Sequence, residues 1–192
     1  MDFAVTEEQQ LIIDTARSFV ENELYPHEAE VERTNQIRPE LYEEIKQKAL
    51  MNGLYAANMP VELGGGGLDP ISLCLFEKEF GKANFGLQYI VARPSNILQA
   101  CKGEQIDRYL KPTIAGEKID CLAMTEPGAG SDVRSMKCKA ERDGEYFVIN
   151  GTKHFISHAD VADYVILFVA TGVEDTPRGP KKKITTFLVD KG

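Results

Sequence analysis

Apolar side chains recur at helical spacing up to about residue 117, and beyond it they fall into short alternating runs broken by glycine turns. This switch in period constrains the fold more than any other feature. A helical face and a strand face bury their apolar atoms in different layers, so the chain reads as α+β with segregated parts. The expected division is an all-helical domain over 1–117 and an antiparallel, barrel-like β-domain over 118–192. Thr6-Glu7-Glu8-Gln9 has the form of a capping box. Ile12, Ala16, Phe19, Val20 and Leu24 then mark one helix face, and Pro26 ends or bends that helix. A second helix opens at Pro39 and stops at Gly53. Asp69-Pro70 caps a third. A fourth covers 83–100 and breaks at Arg93-Pro94, and a fifth covers 104–110 and closes at Pro112.

Gly64 to Gly67 form an unbroken glycine run that no helix interior accommodates. No Lys-Ser/Thr follows it, which excludes a nucleoside-triphosphatase loop, and a tight structural loop is expected. In the second half, strands are expected over 119–124, 146–149, 153–157, 163–171 and 184–189, with Met136, Cys138 and Ala140 alternating inward. Asp143-Gly144 and Asn150-Gly151 read as hairpin turns, and residues 172–183 as an exposed polar loop.

Function is concentrated in Ala123-Met124-Thr125-Glu126-Pro127-Gly128-Ala129-Gly130-Ser131-Asp132. Gly128 and Gly130 allow close approach of backbone to a ligand, and free N–H groups beside them suit an anion. Thr125 and Ser131 add hydroxyls. The plainer alternative is a Pro-Gly turn followed by a solvated aspartate. A second constellation is His154-Phe155-Ile156-Ser157. As a strand it puts Phe155 and Ser157 on one face, where a ring beside a hydroxyl suits a planar ligand, the plainer alternative being an inward Phe with a strand-end Ser.

These residues are similar to two signatures of the acyl-CoA dehydrogenases, the first matching Thr125 to Asp132 and the second the aromatic-aliphatic-serine run Phe155 to Ser157. The resemblance runs the length of the chain and covers about the first half of a family member. It implies a further C-terminal helical bundle beyond Gly192, so that the chain is expected to be a truncated one. It implies FAD as cofactor, held by Leu122, Ala123, Met124, Thr125, Gly130, Ser131, Phe155, Ile156 and Ser157. Thr125 would bond the pyrimidine side of the ring, Phe155 would cover the isoalloxazine and Ser157 would bond near N5. Many relatives carry Trp where this chain has Phe155. Ser131 would also lie near a bound acyl-CoA, and Arg93, in the segment that lines the family's acyl pocket, would meet a polar or anionic acyl tail.

The implied reaction is α,β-dehydrogenation of an acyl-CoA thioester: a carboxylate takes the α-proton and the β-hydride passes to flavin N5. No residue here is assigned as that base. The resemblance puts a Glu beyond Gly192, with Glu126 an exposed turn carboxylate and Asp132 a loop cap. Electron-transfer flavoprotein and a homotetrameric assembly are the implied partners. Alternatives are an acyl-CoA oxidase or flavin monooxygenase of the same fold, and a non-catalytic assembly or binding fragment.

Composition removes other classes. Thirty acidic against 22 basic residues give a net charge of −8, which disfavours nucleic acid. No apolar run is long enough to cross a bilayer, and Met1-Asp2-Phe3 is not expected to open a leader peptide. Cys74, Cys101, Cys121 and Cys138 lack Cys-x-x-Cys spacing, so reduced thiols and a cytoplasmic location are expected. His154 and His158, on a strand, would stand roughly 13 Å apart, too far to share a metal.

Overall fold

The computed structural model describes residues 4–91, 94–177 and 179–192. They form two compact units, Met1–Glu117 and Lys118–Gly192. Helices fill the first and a five-stranded sheet the second, in the order the periodicity requires.

The first unit opens with α1 (Glu7–Phe19), whose capping box is formed: Gln9 N–H donates to Thr6 Oγ1 (3.2 Å) and Thr6 N–H to Gln9 Oε1 (3.1 Å). Pro26 does not stop the helix. A π turn over Val20–Leu24 comes first, with Tyr25 N–H bonding Val20 O, and α2 (Tyr25–Thr34) continues to Asn35. The same device recurs at the second proline. Lys111 N–H reaches Ile106 O across the π turn Ile106–Leu110, and α6 (Lys111–Ile114) carries Pro112 in its first turn rather than ending there. A proline ring displaces the carbonyl four residues back, and the widened turn makes room for it.

α3 (Pro39–Met51) and α4 (Pro70–Phe80) start at their prolines, and Asp69 Oδ1 accepts from Ile71 N–H (2.9 Å). α5 (Phe85–Ile90) is short, and a 3-10 turn follows at Asn96–Ala100. Phe19 of α1 meets Phe80 of α4 with ring centres 6.0 Å apart, and Phe76 lies 4.6 Å from Phe80. Burying each such ring contributes roughly 2–3 kcal/mol. Glu79 is buried beside them and is satisfied by Arg17 (3.2 Å) and Lys82.

The glycine run packs on the loop before it. Gly65, Gly66, Gly67 and Leu68 donate their amides to the carbonyls of Pro60, Ala56, Met59 and Ala57. Those N–H groups are consumed internally, which leaves no phosphate cradle there.

The second unit is a mixed sheet, not the antiparallel one expected. β1 (Asp120–Ala123) runs parallel to β4 (Tyr164–Thr176), and β2 (Lys139–Asp143) meets β4 in parallel at Lys139 and Ala170. β3 (Tyr146–Asn150) and β5 (Gly179–Asp190) supply the antiparallel pairs, with β2 and β4 respectively. Strand patterns identify which residues pair but not the direction of a partner far away in sequence. Residues 172–183 belong mostly to the β4–β5 hairpin, where Glu174 faces Lys181 across the ladder. Cys138, Ala140 and Val169 form a core cluster against Ile149, Leu167 and Phe187.

Candidate functional site

The loop after β1 is a tight turn. Glu126 and Ala129 exchange both backbone hydrogen bonds (3.0 and 3.1 Å) around Pro127-Gly128. Neither Gly128 nor Gly130 has a positive φ, and a Cβ on either would meet no protein atom within 4 Å. Glycine is therefore required here neither by the turn nor by packing. Both positions are open to close approach from outside the described residues. No hydrogen bond within the described residues takes up the Gly128, Gly130 or Ser131 amides.

Residues 153–157 are not the strand expected. Phe155 has φ 56° and His158 φ 62°, so the alternating faces derived for Phe155 and Ser157 do not exist. A left-handed aromatic residue is an outlier whose cost is of order 1 kcal/mol or more, and such outliers cluster at functional sites. Phe155 is also 82% exposed, its ring stacked on His154 at 3.8 Å. The segment is held to the first loop by His154 N–H donating to Thr125 O (2.9 Å). Likewise, Asn150-Gly151 does not turn a hairpin: β3 ends there and the chain crosses Cys138.

The sequence-assigned residues thus lie on two adjoining segments. Leu122 points outward at 38% exposure, whereas Ala123 is buried and offers backbone only. Met124, Thr125 and Ile156 are half-buried, and Gly130, Ser131 and Ser157 are exposed. Arg93 lies outside the described residues. Within the first unit, a cavity of about 220 Å³ is lined by Asn58, Phe85, Gln88, Tyr89, Pro94 and Asn96. Asn58 Nδ2 fixes the rim by donating to Pro94 O and Asn96 Oδ1, both at 2.8 Å.

Glu126 overturns its expected exposed role. It is buried, and accepts from Lys137 N–H (2.5 Å), Cys138 N–H (2.9 Å) and Lys153 Nζ (2.9 Å). Lys153 Nζ also donates to Met124 O (2.9 Å). Asp132 does cap the loop, accepting from Arg134 N–H (3.2 Å) and from the Ser135 hydroxyl. Glu126 stood out in the sequence only as an exposed turn carboxylate, and its pairing with Lys153 did not. The available signal was a pair of opposite charges, one in each ligand-like segment.

Burial by itself pushes the Glu126 carboxyl up, but the Lys137 amide, the Lys153 ammonium and the Cys138 amide overrule it and hold the group below the usual carboxylate range. A general base needs the opposite bias, and Glu126 instead ties its loop to Lys137, Cys138 and Lys153. Because the folded value is lowered, Glu126 stabilises the fold at every pH above its unfolded value of about 4.3 and loses that contribution as pH falls further. The denaturation midpoint should therefore drop below pH of about 4.3, and the drop should shrink in Glu126→Gln. An identical acid limb in the variant would assign the loss to other carboxylates.

Comparison with known proteins follows the same two units. The profile of the acyl-CoA dehydrogenase N-terminal domain matches residues 6–117, and that of the middle domain residues 121–192. The chain is 36% identical to a 3-(aryl)acrylate reductase of Clostridium sporogenes over 96% of its own length and 48% of that protein's. It is 35% identical to the mitochondrial isovaleryl-CoA dehydrogenase of Pongo abelii, over 98% of this chain and 45% of the relative. A glutaryl-CoA dehydrogenase of Mycobacterium smegmatis in complex with FADH2 superposes with a TM-score of 0.80 at 25% identity, covering 96% of this chain and 46% of that one. The chain spans about half the length of the curated relatives it matches.

Proposed function

The chain belongs to the acyl-CoA dehydrogenase family, and from that premise we propose that it supplies the FAD-binding ledge and part of the acyl-CoA site of a flavin-dependent acyl-CoA dehydrogenase. The observation that carries this reading is the hydrogen bond from His154 N–H to Thr125 O, which sets the two flavin-like segments side by side. When bound, FAD supplies the hydride acceptor for α,β-dehydrogenation of the acyl thioester.

This chain's own residues bind and orient. The Gly130 and Ser131 amides and the Ser131 hydroxyl would hold the pyrophosphate, with Ser131 also serving the thioester. Thr125 would bond the pyrimidine edge, and Phe155 would cover the ring together with Ile156 and Ser157. Leu122, Ala123 and Met124 complete the ledge. The cavity by Asn58 and Tyr89 receives the acyl tail. The Glu126 carboxylate is committed to its donors, so no residue of this chain is assigned the α-proton. Electron-transfer flavoprotein is the proposed acceptor, a homotetramer the proposed assembly and the cytoplasm the proposed setting.

The test is the visible spectrum of the full-length gene product, with acyl-CoA added without oxygen. A flavin band that bleaches is expected. Gly130→Ala should leave the melting temperature unchanged, since its Cβ meets nothing, yet weaken FAD about tenfold. A folded, colourless protein that takes up no FAD would remove the reading.

A further inference from the structure

We propose that Glu126 and Lys153 are a positioning pair, fixing the loop that carries Thr125 against the segment that carries Phe155 and so setting the geometry of the ligand ledge. The inference rests on the FAD reading above.

The pair joins the loop after β1 and the segment after β3 to the start of β2, where Cys138 O is tied to Ala170 N–H. Lys153 Nζ bonds Met124 O and Glu126 Oε1, both at 2.9 Å, and Glu126 reaches the amides of Lys137 and Cys138. The two side chains are only 8% and 5% exposed. Glu126 directly follows Thr125, and Lys153 directly precedes His154, whose amide bonds Thr125 O. Desolvation cancels most of the attraction in a buried ion pair, so stability alone does not explain one. A pair of packed apolar side chains would fill the same space. It would not satisfy Met124 O and the two amides, and would not hold the loops in a single register.

The experiment titrates the apo form of the full-length gene product with FAD and follows flavin fluorescence and the melting temperature. It compares the parent with Lys153→Met, Glu126→Gln, the double variant and Lys153→Arg. Each single variant should weaken FAD about tenfold, and the double should be no weaker than either single, because either change breaks the same contact. Lys153→Arg, which keeps the charge and donors, should return to within about threefold of the parent. If Lys153→Met does not fold, Glu126→Asp decides instead. It retains the charge with a shorter reach, and should weaken FAD at least about threefold while still melting cooperatively. Variants that melt lower but bind FAD as tightly as the parent would make the pair a fold anchor and overturn the proposal. A parent that takes up no FAD would remove the FAD reading, and this inference with it.

Discussion

Gly65→Ala is expected to destabilise the helical unit by about 3 kcal/mol, the upper range for forcing atoms into a filled site. A Cβ at Gly65 would lie 2.2 Å from Met59 O and 2.5 Å from Met59 C. Both are backbone atoms, so no rotamer change relieves the contact. Nor is the loop free to slide, because Gly65 N–H bonds Pro60 O (3.0 Å) and Gly67 N–H bonds Met59 O (2.8 Å). Gly103→Ala is the control. That residue has φ 55° but nothing within 4 Å of the added methyl, so only the left-handed penalty of roughly 1 kcal/mol applies. Denaturant titration followed by helical circular dichroism separates them. Equal midpoints for the two variants would mean that the loop yields, and that the glycine run is not needed for close packing.

Features legible in the sequence were those decided within a few residues. The Thr6 box, the Asp69 cap and the start at Pro39 depend on neighbours one to three positions away. Pro112 was read as a helix end and Pro26 as an end or a bend, and at both a π turn removes the clash by shifting hydrogen bonds that no local pattern announces. The direction of β1 against β4 depends on a partner more than forty residues away, so alternation could not supply it. At the candidate site, Thr125 and Phe155 were legible as residue types, through the family signatures. Their surroundings were not. Phe155 sits in a left-handed conformation that only the Thr125–His154 tie makes intelligible, and Glu126 looked like any turn carboxylate until its three donors were in place.

Gly151→Ala should damage stability and ligand binding together, and the comparison with Gly130→Ala shows why. At Gly151 the backbone has φ 149°, and an added Cβ would meet Cys138 Cα and Cβ at 2.6 Å and Sγ at 2.7 Å. Cys138 is buried in the sheet core, and its carbonyl accepts from Ala170 N–H at 2.9 Å. It therefore cannot retreat without breaking the β2–β4 junction. Its amide is also one of the donors that hold Glu126. The substitution should cost the sheet unit about 3 kcal/mol, and the molecules that still fold should bind FAD more weakly because Glu126 has shifted. Gly130→Ala touches no protein atom and should affect FAD alone. The measurements are a denaturation midpoint and an FAD titration on each variant. If Gly151→Ala kept the parent's midpoint, the Cys138 contact would be soft. If Gly130→Ala lowered the midpoint as well, its glycine would serve the fold, and the argument that an outside ligand approaches there would fail.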